Sequence, residues 1–144
     1  MRPTEQDAFS AALLEFLRAT RRTRGRLGDS DELSLSQYQL LEPLIGGERL
    51  ATCELALAAG VSAPTATRML TGLEREGLIE RVPCDADRRV VHVVLTADGR
   101  DRVRAARARG EARRAEIFAS LSVGERREAA RLLERLAEAV EGLR

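Results

Sequence analysis

The sequence contains no lysine and no asparagine, and all 24 of its basic residues are arginine. Both absences point to the codon bias of a GC-rich genome, so arginine abundance alone says little about nucleic acid. Against 23 acidic residues the net charge is only +1, and a chain without a strong global field must bind any polyanion through local placement. Cysteine and histidine are scarce: Cys53 and Cys84 are not part of a Cys-x-x-Cys pair, and His92 is the single histidine. No zinc cluster can be written from so few ligands, and two such cysteines do not make the disulfide framework of a small secreted domain. They read as free thiols in a reducing compartment, with Cys53 a small core residue of a helix. No apolar run reaches the ~18 residues of a bilayer span, and no basic region precedes an apolar signal core at the N-terminus. The expectation is a cytoplasmic chain with no membrane partner, no metal and no cofactor. An enzyme is equally poorly supported: there is no Gly-rich phosphate loop and no serine in a nucleophile elbow.

What is present is a 144-residue chain, 44% hydrophobic and 33% charged, which excludes disorder and suffices for one domain with its own core. Phe9, Leu13, Phe16 and Leu17 recur at helical spacing behind Thr4 and Asp7, predicting a first helix to about Arg26, ended by Gly25 and Gly28. Ser34 and Gln37 have capping-box spacing ahead of Tyr38, Leu40, Leu41, Leu44 and Ile45, a second helix that should stop at Gly46-Gly47. A third runs near Thr52 to Ala59 and ends at Gly60. Ser62 caps a fourth, with Pro64 in its first turn and Gly77 at its end. Ile79 to Pro83 and Val90 to Leu95 are β-favouring runs around a polar loop, with His92 at a half-exposed strand position. Thr96 and Asp98 open a fifth helix to about Leu121, with a thin stripe of Val103, Ala106, Gly110 and Ile117. Ser122 caps a sixth with a strong apolar face of Leu132, Leu133, Leu136, Val140 and Leu143. The order is α-α-α-α-β-β-α-α, without internal repeats.

Two short helices around a glycine-containing turn, followed by a helix and a β-hairpin, spell a winged helix-turn-helix. At about 100° per residue, Ala66, Met69, Leu70 and Leu73 share one face of the fourth helix, and Pro64, Thr67, Arg68, Thr71 and Arg75 the opposite one. That outward face has arginine and hydroxyls but no acid, because Glu74 and Glu76 fall on its flanks. Arginine reads guanine in the major groove, and threonine offers hydrogen bonds or methyl contacts. The N–H groups behind the Ser62 cap offer a phosphate site. In the loop, Asp87 is placed to orient Arg89, and arginine is the favoured probe of a narrow minor groove.

Gly60-Val61-Ser62-Ala63-Pro64-Thr65-Ala66-Thr67-Arg68, then Leu73-Glu74-Arg75-Glu76-Gly77-Leu78-Ile79-Glu80-Arg81, then Asp87-Arg88-Arg89 leading to Val93-Val94-Leu95-Thr96, resembles the MarR family of bacterial transcription regulators. The resemblance covers the whole chain in order and length. It implies a mainly α (α+β) fold in a single domain over 1–144, a winged helix-turn-helix over about 48–96, and dimerisation helices over about 4–27 and about 97–143. By resemblance Thr65, Thr67 and Arg68 contact bases or phosphates. Ser62, Pro64, Thr71 and Arg75 join them on the same helix, Arg88 and Arg89 lie on the wing, and Asp87 orients Arg89. The implied partners are double-stranded DNA at a pseudo-palindromic operator, a second copy of the chain, and a small lipophilic or aromatic effector near Phe16, Arg18, Arg22 and Tyr38. The implied action is that of a homodimeric repressor released by the effector. The chain departs from the family's peroxide-sensing branch, whose cysteine lies in the first helix. Two alternatives remain: a thiol-based redox sensor using Cys84 beside the wing, and a winged-helix protein-interaction module without DNA binding.

Overall fold

Short polar residues at the expected positions begin most of the helices of the computed structural model, which describes residues 4–25 and 32–143. Thr4 Oγ1 accepts the Asp7 N–H at 3.1 Å while the Asp7 carboxylate accepts the Thr4 N–H at 2.9 Å, and α1 (Glu5–Gly25) follows. These bonds from Thr4 hold the Asp7 carboxyl below the usual carboxylate range. Gly28, expected beyond the end of this helix, lies outside the described residues. At α2 (Leu35–Leu41), Ser34 Oγ accepts the Gln37 N–H at 3.1 Å and Gln37 Oε1 accepts the Ser34 N–H at 2.8 Å. Two donors of a helix end are thereby satisfied reciprocally.

The second helix is shorter than its apolar pattern suggested. Pro43 has no N–H to give and its ring crowds the preceding turn, so the α-helix stops at Leu41 and the chain tightens into a 3-10 turn, Glu42–Leu44. A two-residue strand, β1 (Leu50–Ala51), precedes α3 (Thr52–Ala59) and was not foreseen, being too short to show an alternating pattern. After α3 and α4 (Ala63–Arg75), Gly60 and Gly77 take positive φ of 65° and 74°. Each allows two backward bonds: Gly60 N–H to Leu57 and Val61 N–H to Ala56, then Gly77 N–H to Glu74 and Leu78 N–H to Leu73. This double bond pattern reverses the chain at a glycine and delivers the next apolar residue to the core.

β2 (Ile79–Pro83) and β3 (Val91–Leu95) form an antiparallel hairpin, pairing Ile79 with Leu95 and Pro83 with Val91. β1 adds to the other edge of β3 through Leu50–Val93 and Ala51–His92, giving the order β1-β3-β2. Thr96 then joins the sheet to the helices. Its N–H donates to the Leu78 carbonyl at 3.1 Å and its hydroxyl to the Gly77 carbonyl at 2.7 Å, and its oxygen accepts the Gly99 N–H at 3.0 Å as α5 (Ala97–Ser120) begins.

The chain divides into two compact units, residues 1–106 and 107–144. In the first, one core gathers Leu40, Leu41 and Leu44, Leu55 and Ala56 of α3, Ala66, Leu70 and Leu73 of α4, Leu78 and Ile79, Val93 and Leu95 of β3, and Val103 of α5. Burial of this kind stabilises by about 1.5–3 kcal/mol for each large aliphatic side chain, and it fixes α4 by its inner face. Cys53 is not in that core, contrary to expectation: it is exposed on α3, on the side away from Leu55. No described residue of α1 is buried, and Phe9, Leu14 and Phe16 are more than half exposed.

In the second unit, Ser122 Oγ accepts the Glu125 N–H and the Glu125 carboxylate accepts the Ser122 N–H at 2.8 Å, starting α6 (Val123–Glu141). These bonds hold the Glu125 carboxyl below its usual range. The Arg126 guanidinium stacks 3.9 Å from the Phe118 ring centre and donates to the Phe118 carbonyl, bracing the turn from α5 into α6. Leu132, Leu133, Leu136 and Val140 do form one face of α6, but none of them is buried.

Candidate nucleic-acid interface

α4 is held from below by Ala66, Leu70 and Leu73, which leaves Pro64, Thr67, Arg68 and Arg75 exposed on the opposite side. Met69 is half-buried against the core rather than fully inside it. Among the described residues Arg68, Arg75 and Arg88 carry no acidic partner, so their guanidinium groups are available to an external anion.

The first turn of α4 is more fully occupied than its sequence suggested. Ser62 Oγ accepts the Thr65 N–H at 3.3 Å and donates to Thr65 Oγ1 at 2.8 Å, and the Ala66 N–H goes to the Ser62 carbonyl. Pro64 has no N–H. The Ala63 N–H is therefore what this turn has left for a phosphate, among the described residues. Thr65 is half-buried and bonded to its cap. Thr71 is also half-buried: its hydroxyl donates to the Thr67 carbonyl at 2.9 Å, and its oxygen accepts from Arg81 Nη2 at 3.5 Å. Polar capacity that the outward-face pattern assigned to Thr71 is thus spent within the protein.

On the wing, the geometry expected of Asp87 and Arg89 is present. Arg89 Nε and Nη2 each donate to a different oxygen of the Asp87 carboxylate at 3.1 Å, and the Arg89 N–H adds a third bond at 3.0 Å. A forked pair of this kind fixes direction as well as distance. The Arg89 side chain nevertheless stays 91% exposed, held but not covered. The same bonds pull the Asp87 carboxyl below the usual carboxylate range, the side-chain bond more than the backbone one. The loop closes beneath it through Cys84 N–H to the Val90 carbonyl at 2.8 Å and Val90 N–H to the Asp87 carbonyl at 2.9 Å. Cys84 is half-buried at that closure, and His92 is half-exposed on β3, as its strand position implies.

Two charged contacts had no local signal in the sequence. Arg81 of β2 pairs with Glu74 of α4, and Arg49 next to β1 pairs with Asp85 of the wing loop at 3.7 Å. Each joins residues on different elements, so neither helical nor strand spacing reveals it.

The four effector candidates lie on two helices, Phe16, Arg18 and Arg22 on α1 and Tyr38 on α2. Tyr38 is half-buried against the core, whereas Phe16 is 58% exposed on α1, and Arg18 and Arg22 both turn to Glu15, at 3.9 and 2.6 Å. Among the described residues there is no cluster of acidic, cysteine or histidine side chains able to hold a metal, and no helix long and apolar enough to cross a membrane.

Comparison with known proteins agrees with the fold. Residues 33–91 match the model of the MarR family. A protein of Mycobacterium bovis named as an HTH-type transcriptional regulator is 33% identical over 113 residues, covering 78% of each chain. Streptococcus pneumoniae FabT, whose crystal structure is in complex with DNA, superposes with a TM-score of 0.75 at 24% identity, covering 95% of this chain and 96% of that one. BpsR of Bordetella bronchiseptica, whose DNA binding is regulated by 6-hydroxynicotinic acid, superposes with a TM-score of 0.68 at 25% identity over 89% of this chain and 98% of that one.

Proposed function

Because the chain belongs to the MarR family of DNA-binding transcription regulators, we propose that it acts as a homodimeric repressor that reads a pseudo-palindromic operator. The observation that carries this reading is the pairing of an acid-free α4 face, with Arg68 and Arg75 unpaired, with a wing arginine held by Asp87 and left in the open. α4 lies in the major groove, where Arg68 and Thr67 contact base edges, Thr65 and Arg75 contact the backbone, and Pro64 packs against the sugar-phosphate surface. Ser62 orders the turn rather than touching DNA. Arg89 enters the minor groove, and Arg88 beside it supplies a phosphate contact.

The second copy is the natural cover for the apolar residues left open on α1 and α6, where Phe9, Phe16, Leu133 and Val140 are each more than half exposed. Exposed apolar surface on that scale marks an interaction site. A small aromatic acid is the effector class we favour, by likeness to BpsR, with Tyr38 as its anchor. Such a ligand releases DNA only by binding one spacing of the two wings more tightly than the other.

Selection of bound fragments from a randomised duplex library tests the reading. Enrichment of one inverted repeat is expected, and recovery of unenriched sequence would refute it. Phenolic acids that raise the melting temperature should also release the selected duplex. A ligand that binds without changing DNA affinity would remove the regulatory part.

A further inference from the structure

The winged segment is not basic: residues 48–96 hold seven acids against six arginines. A surface that binds DNA from such a segment needs its carboxylates disposed of, because a free one near phosphate repels it over about a Debye length of ~8 Å. Glu74 is the most exposed to this problem, since it precedes Arg75 on α4 itself and sits beside Thr71 on the flank of the outward face. Its side chain is bound by Arg81, whose guanidinium rises from β2, pairs with the Glu74 carboxylate and reaches Thr71 Oγ1. The pair is partly screened from water, at 29% exposure for Arg81 and 39% for Glu74, so its charges cancel at closer quarters than a solvated surface pair.

We propose that Arg81 is a positioning residue for DNA binding, which cancels the Glu74 charge and draws that carboxylate to the sheet side of α4, so that Arg68 and Arg75 present an unopposed positive face. Arg81 does not itself touch DNA. This rests on the DNA-binding reading above.

The test compares Arg81→Gln, Glu74→Gln and the double variant in the full-length protein, on the duplex that the wild type enriches from a random library. Arg81→Gln, which leaves Glu74 unpaired, should lower affinity about five- to tenfold at low salt, a deficit that shrinks as salt is added. Glu74→Gln breaks the same pair yet should stay within about threefold of wild type, and the double variant should recover to that level. If the pair were only a brace, both single variants would lose affinity equally. If Arg81 contacted phosphate, the double variant would stay as weak as Arg81→Gln. Either result overturns the proposal, as does an Arg81→Gln protein that binds like wild type. Should Arg81→Gln fail to fold, the double variant and Glu74→Gln are each compared with wild type: both within about threefold of it supports the proposal, and a tenfold loss in either contradicts it. A wild type that binds no duplex at all defeats the DNA-binding reading first, and this one with it.

Discussion

Asp87 places a negative charge on the surface proposed to meet DNA, and simple electrostatics therefore has Asp87→Ala tighten binding. The forked bond to Arg89 predicts the opposite. An exposed arginine loses rotamer freedom when it enters a groove, and a carboxylate that already holds it reduces that loss. Operator affinity of Asp87→Ala across a salt series should fall, with the dimer intact; tighter binding throughout would show that Asp87 does not serve Arg89. The lowered Asp87 pKa gives a second check, with its sign fixed by the pair. The contact is fully formed above the ordinary carboxylate pKa of about 4 and is lost as pH falls through the depressed value, so DNA affinity should not change through this group at neutral pH. In an NMR titration of the Asp87 carboxyl, Arg89→Ala should move the midpoint up toward the ordinary range, the backbone N–H of residue 89 retaining the smaller part of the lowering. This pair was legible because both members lie in one loop, two residues apart. Glu74 and Arg81 were not, because only the folded sheet brings them together. Gly99 makes the same point for packing. A Cβ there would fall 1.8 Å from the Leu78 carbonyl oxygen, whereas one at Gly124 meets nothing within 4 Å. Gly99→Ala should cost about 2 kcal/mol or more by denaturant melts, and Gly124→Ala should cost nothing or stabilise by up to about 1 kcal/mol.

The helices were readable where caps and periodicity agreed. Ser34, Ser62 and Ser122 each accept the N–H three residues on, and Gly60 and Gly77 each close a helix with positive φ. The failures have named causes: Pro43 cut short an apolar pattern that continued past it, and β1 was two residues long. Helical phase also placed the outer face of α4 correctly at Pro64, Thr67, Arg68 and Arg75. It could not tell that Thr71 bonds inward, since that depends on a strand arriving beside it. The recognition role proposed for α4 gives a direct expectation. Arg68→Ala should weaken operator binding by about 1–3 kcal/mol and relax preference at one position of each half-site if it contacts a base. A uniform loss over all sequences would make it a phosphate contact, and no loss would remove α4 from the groove.

An apolar stripe in the sequence does not say what covers it. Leu132, Leu133, Leu136, Val140 and Leu143 were expected on one face of α6; the first four are found there and Leu143 lies past its end at Glu141, and all stay open within the chain, as does the apolar side of α1. A second copy of the chain is the cover proposed, and Leu136→Glu should then shift the protein to monomer in sedimentation and lose operator affinity together; a folded dimer would contradict it. Two-fold symmetry has a consequence for DNA that no single chain can produce. The two α4 helices of a dimer must meet half-sites about one helical turn, roughly 10 bp, apart on the same side of the duplex. Affinity should therefore be measured for the selected duplex with about 5 bp inserted between its half-sites, which turns one of them to the opposite side. Binding should fall to that of a single half-site. Undiminished binding to the lengthened duplex would contradict a symmetric dimer reading two half-sites at once.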